Sequence, residues 1–169
     1  MWAGNEQVFT GGAEGVVRRW SFQELLKGKA AEAEEDLHEE PIWDLIANEK
    51  RGILVTSSAD ETHKVIRCGG AELEEVGVIE SGDVPTSIDW IGEGKFVSGF
   101  VNKPSLRVYD IETGACCWDY SFEGRGALYQ TNRVQTSIRQ KLVAAGNEDH
   151  YIRFYDAGTS RCEDTQISV

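Results

Sequence analysis

Three histidines stand beside acids: His38 next to Glu39, His63 near Glu61, and His150 next to Asp149. An imidazole backed by a carboxylate is the working part of general acid–base and nucleophilic catalysis. All three lie in or beside turns that recur along the chain, and that repetition favours structural turn chemistry over a single catalytic centre. No H-x-x-x-H, H-E-x-x-H or C-x-x-C spacing offers a metal site. The pairs Gly11–Gly12 and Gly69–Gly70 lack the spacing of a phosphate cradle and open no helix, so no cofactor is expected. Cys116 and Cys117 sit beside Trp118, a setting that suits structural thiols better than a reactive pair.

Charge restricts the partners. Lys and Arg number 17 against 29 Asp and Glu, a formal charge of −12 on 169 residues. Such a chain repels phosphate backbones and anionic membrane surfaces, so nucleic acid is not an expected partner. No run reaches the roughly 18 apolar residues of a membrane helix, which excludes an integral membrane segment. The N-terminus carries no basic and apolar leader, and Cys68, Cys116, Cys117 and Cys162 form no paired motif. They read as free thiols in a reducing compartment, with the cytoplasm as the expected location.

The elements that must position these residues come from a repeat. Four segments share an apolar run, a turn of Gly, Ser, Asn or acid, and a second apolar run: QVFTGGAEGVVRRW, ILVTSSADETHKVI, KFVSGFVNKPSLRVY and LVAAGNEDHYIRFY. Their last residues, Trp20, Ile66, Tyr109 and Tyr155, recur every 43 to 46 positions, and Glu14, Asp60 and Asp149 fall in register. Short β-branched and aromatic runs around such turns predict β-hairpins. A strand before each later hairpin (Pro41–Ala47, Pro85–Ile91, Thr131–Ser137) and one after it (Leu73–Ser81, Ala115–Phe122, Thr159–Val169) make four-stranded units of ~40–45 residues. The expected fold is therefore all-β, with full units over 38–81, 82–125 (divergent) and 126–169. Residues 1–37 are read as a partial unit, two strands plus an acidic helical or mobile insertion over 21–36.

This unit size resembles a blade of a WD40 β-propeller, and the residues of the second unit carry the likeness. His38, one of Thr56, Ser57 or Ser58, and Asp60 match the His, hydroxyl and Asp of the WD40 hydrogen-bond relay, with Ser58 taken as the hydroxyl. Ile66 stands where that relay has Trp, whereas Trp20 keeps the closing aromatic in the first unit. Tyr109–Asp110 and Tyr155–Asp156 are variants of the W-D dipeptide. The order GNEQVFTGGAEGVVRRW, HEEPIWDLI with SSADETHKVI, then NRVQ and AAGNEDHYIRFYD resembles consecutive central blades of striatin-family propellers. That resemblance implies a signalling scaffold that assembles protein phosphatase 2A with associated kinases. Roles that depend on the coiled-coil and calmodulin-binding segments of that family are not carried over.

The expected function is thus a non-catalytic protein-interaction scaffold, part of a larger propeller. Trp43, Asp44, Asp89 and Trp90, on the first strands of two blades, are the candidate protein-binding rim. A WD40 adaptor that reads peptides in another assembly, such as a ubiquitin ligase, is the first alternative. A propeller enzyme using Asp44 or Asp89 is the second. With the remaining blades missing, the open edges predict self-association.

Overall fold

Alternation of apolar and polar residues in short β-branched runs is carried into sixteen strands. The computed structural model describes residues 2–3, 6–103, 105–121, 130–159 and 162–168. They form four antiparallel sheets of four strands, each built in chain order from consecutive strands. The first holds β1 (Trp2–Ala3), β2 (Gln7–Gly11), β3 (Val16–Ser21) and β4 (Ala33–Asp36). The second holds β5 (Ile42–Asn48), β6 (Ile53–Ser58), β7 (Thr62–Arg67) and β8 (Glu74–Glu80). The third holds β9 (Pro85–Gly92), β10 (Lys95–Phe100), β11 (Ser105–Asp110) and β12 (Cys116–Ser121). The fourth holds β13 (Thr131–Ser137), β14 (Leu142–Asn147), β15 (Tyr151–Asp156) and β16 (Cys162–Ser168). Pro104 and the side chain of Cys162 lie outside the described residues.

The first sheet departs from expectation. Helix α1 is only Phe22–Leu25, and Ala33–Asp36, expected within an acidic helical or mobile insertion, is the outer strand. The cause is cross-strand charge. β4 lies against β3 with Arg18 opposite Glu34, and Arg18 Nε donates to Glu34 Oε2 at 3.0 Å. The Arg18–Glu34 pair helps hold this acidic segment as a strand despite its weak β propensity. With Trp2–Ala3 pairing on β2, this sheet has four strands where the repeat alone predicts two.

The chain divides into two compact units, Met1–Glu80 and Ser81–Val169, each with two sheets. In the first unit the sheets share a core of Phe9, Val17, Leu37, Leu45, Leu54 and Ile66. Ile66, standing where a Trp is expected, is fully buried there. Burying its side chain replaces a donor with apolar contact, worth ~2 kcal/mol as area removed from water. Arg19 joins the same two sheets: its guanidinium donates to the carbonyls of Cys68, Gly70 and Ala71 at 2.7–3.1 Å. In the second unit Val97, Val108, Tyr120, Val134, Val143 and Tyr155 form the core. The Tyr120 and Tyr155 rings lie 5.2 Å apart, and the Tyr120 hydroxyl donates to Asp156 O at 2.8 Å.

The hairpin turns repeat in detail. Gly15, Glu61 and His150 occupy equivalent places and all have left-handed backbone, with φ of 79°, 65° and 66°. The acid just before each is Glu14, Asp60 or Asp149. In the last two turns that acid accepts the backbone N–H two residues on: Thr62 N to Asp60 Oδ1 at 3.0 Å and Tyr151 N to Asp149 Oδ1 at 3.3 Å. Such local bonds pin a turn whose central residue pays for left-handed φ. His150 is thereby explained as a turn residue.

Candidate functional site

The second sheet brings His38 and Asp60 together. His38 lies between β4 and β5, and its Nδ1 is 2.8 Å from Asp60 Oδ2 in the β6–β7 turn. On the ring's other side, Nε2 is 2.7 Å from Thr56 Oγ1 in β6. Thr62 Oγ1 donates to Asp60 Oδ1 at 2.7 Å and approaches His38 Nδ1 at 3.3 Å. The hydroxyl of the relay is therefore Thr56, not Ser58. Ser58 donates to Glu40 O at 3.0 Å and accepts the Asp60 N–H at 3.2 Å, so it holds the turn rather than the ring. Register is the reason: Thr56 pairs with Lys64 across the hairpin, one step in from the turn end, where it faces the ring. The equivalent Thr10 in the first sheet carries the signal, since Trp20 Nε1 donates to it at 3.0 Å. The relay is thus split between sheets, with the indole–hydroxyl bond in one and the hydroxyl–imidazole–carboxylate chain in the other.

A carboxylate accepts only, so Asp60 fixes the proton on His38 Nδ1, and neutral Nε2 accepts from the Thr56 hydroxyl. Burial lowers the His38 pKa from its ordinary value, and the bond from Asp60 only partly opposes this. Burial pushes the Asp60 carboxyl up, but the bonds from Thr62 and His38 outweigh that and hold it below its ordinary value. Aspartate, neutral imidazole and hydroxyl in line is the arrangement of a hydrolytic triad. Thr56 is nevertheless fully buried and His38 only 3% exposed. An attacking oxygen must reach a carbonyl carbon at near-contact distance, and no substrate meets a hydroxyl sealed in this way. What the three groups do is tie the loop before β5 to the β6–β7 turn.

His63, one residue beyond Thr62, is also fully buried. Burial, with the nearby His38 as the next cause, brings it down to about 3. Both histidines are neutral in the fold and take up protons in the unfolded chain below the ordinary value near 6.5. Stability is therefore full above pH 6.5 and is lost as pH falls below it, by up to about 1.4 kcal/mol per pH unit for each histidine. For His63 the loss continues toward its folded value. Urea melts from pH 7.5 to 4.5 will show the midpoint falling steadily below 6.5. A flat midpoint across that range contradicts the buried, neutral pair.

Elsewhere the same turn acid has other partners. Glu14 bonds Arg18, and Asp149 holds the Arg153 guanidinium with both oxygens. The third sheet uses Asp83 instead: it accepts Val84 N at 2.8 Å, Asn102 Nδ2 at 2.9 Å and Asn102 N at 3.2 Å. Neither this clamp nor that of Arg19 follows from the repeat, because their partners lie in connections whose paths only the fold reveals.

The four candidate rim residues are two pairs in two units. Trp43 lies at a bulge of β5, where the register slips between Ile42 and Asp44, and it is 53% exposed. Asp44 Oδ1 accepts the Leu45 N–H at 2.9 Å. Asp89 is committed within the second unit: Oδ2 accepts Thr136 N at 2.7 Å, Gln135 Nε2 at 2.7 Å and Thr136 Oγ1 at 3.0 Å, while Oδ1 accepts Trp90 N at 2.9 Å. It joins β9 to β13. The one hydrogen of the Thr136 hydroxyl is shared with the Trp90 carbonyl, 2.5 Å away, which belongs to the same junction. Among the described residues no group of His, Cys, Asp and Glu is placed to hold a metal ion. Cys68, Cys116 and Cys117 are free thiols, and among the described residues no helix is long and apolar enough to cross a membrane.

Comparison with known proteins agrees with the blade geometry. No family model matches the chain. Cleavage stimulation factor subunit 50 of Arabidopsis thaliana is 25% identical over 126 residues, 74% of this chain and 29% of that protein. The solved WD40 β-propeller domain of Doa1 matches with a TM-score of 0.77 at 16% identity, over 98% of this chain and 51% of that one. The chain thus spans under a third of the curated relative and about half of the solved propeller chain. Four-stranded sheets in chain order, the His38–Thr56–Asp60 relay and this match together make the fold that of part of a WD40 β-propeller.

Proposed function

We propose that the chain is a non-catalytic protein-interaction scaffold, striatin-like, that assembles protein phosphatase 2A and associated kinases in the cytoplasm. One observation carries the scaffold reading. The groups with catalytic geometry are sealed inside a blade, while a large aromatic, Trp43, stands 53% exposed on a hydrogen-bonded strand. A rigid exposed Trp is the residue type that dominates protein interfaces. The striatin reading rests on the order of the blade motifs, and the phosphatase partner follows from it.

Affinity purification of the tagged chain, compared with its Trp43→Ala variant, tests this. Phosphatase 2A subunits are expected with the parent chain and at least fivefold fewer with the variant. Equal recovery from both, or none from either, contradicts the reading. Recovery of ubiquitin-ligase subunits instead would support the adaptor alternative. The likeness to cleavage stimulation factor subunit 50 favours a second reading, membership of a multi-protein factor of that kind.

A further inference from the structure

At the β13–β14 turn a cleft of about 230 Å³ opens beside Ile91, Thr136, Ile138, Lys141 and Ala157. All of it lies in the Ser81–Val169 unit. Ile91 and Ala157 are packed against the unit's core and form an apolar floor. Ile138 stands at the edge, 61% exposed, among the most exposed large apolar side chains described. The turn that carries it is held from three sides. Gln140 N donates to Ser137 O at 3.1 Å, Lys141 N to Ile138 O at 3.3 Å, and Ala157 N to Lys141 O at 2.8 Å. Ile138 is therefore presented on fixed backbone and loses little freedom when covered.

Charge identifies what covers it. Arg139 and Lys141, exposed on either side of Gln140, have no carboxylate partner among the described residues. Asp156, next to the lining Ala157, has Oδ1 engaged with the Gly158 N–H at 2.6 Å. On a chain of net charge −12, Arg139 and Lys141 place two cations in this turn beside the one carboxylate of Asp156. Apolar space of this size takes one aliphatic side chain, and the exposed Arg139 and Lys141 favour carboxylates beside it.

Resting on the scaffold reading above, we propose that this cleft docks one apolar side chain of an extended acidic segment in a partner protein, with Arg139 and Lys141 receiving the flanking carboxylates. The probe is a short fluorescein-labelled peptide with one leucine among aspartates and glutamates, followed by polarisation on the full chain. Binding is expected for the parent chain and for Leu26→Ser, an exposed position in the other unit. Ile138→Ser and the double charge reversal Arg139→Glu, Lys141→Glu are each expected to weaken it at least tenfold. A matching peptide with lysines around the leucine is expected not to bind. Equal binding by the variants, equal binding of the lysine peptide, or no binding of the acidic one overturns the cleft. The purification result is independent of all three, so the scaffold reading falls only by its own test.

Discussion

Replacing Gly15 with alanine is expected to destabilise the Met1–Glu80 unit by roughly 4 kcal/mol or more, at the upper end of single-residue effects. Two costs combine. The backbone there has φ of 79°, which a side chain tolerates poorly. A Cβ would also stand 1.8 Å from the His38 carbonyl oxygen and 2.7 Å from its carbon, both backbone atoms that cannot swing aside. The Gly15 carbonyl accepts the N–H groups of Leu37 and His38 at 3.2 and 3.1 Å, so moving the turn away breaks both bonds and shifts the relay histidine. Gly28 separates the two costs, since it has φ of 71° and nothing within 4 Å of an added Cβ. Gly28→Ala should therefore lose only about 1–2 kcal/mol in a urea melt. Equal losses in the two variants would show that the close approach to His38 does not hold.

His38→Ala carries the next largest effect, about 3 kcal/mol or more of stability. It leaves the Asp60 carboxylate without its ring donor, the Thr56 hydroxyl without its acceptor, and a cavity where the ring was. Because the three groups act as one network, Asp60→Ala added to His38→Ala should cost far less than Asp60→Ala alone. Melts of the two single variants and the double one check this. Additive losses would mean that the imidazole and the carboxylate are not coupled.

The repeat makes His38 and Asp60 readable because each stands at a fixed distance from apolar runs whose period can be counted. Choosing among Thr56, Ser57 and Ser58 requires knowing which residue of β6 faces the ring, and hairpin register decides that. Thr10, in register with Thr56 and beneath Trp20, was the available clue. The strand at Ala33–Asp36 has no local signal because composition there favours helix or solvent, and its pairing with β3, Arg18 opposite Glu34, is visible only in the fold. The bonds of Asp89 have no local signal because its partners, Gln135 and Thr136, lie more than forty positions along the chain. Ile91 and Ile138 are as far apart, so the cleft between them has no local pattern at all.

The central claim is that His38, Thr56 and Asp60 are a structural tie and not a poised catalytic base. Nitrogen-15 NMR of the His38 ring over a pH series tests it most directly. The account predicts a neutral ring with its proton on Nδ1, persisting below pH 6.5. A proton on Nε2 instead, or a ring that charges at or above pH 6.5, would contradict it.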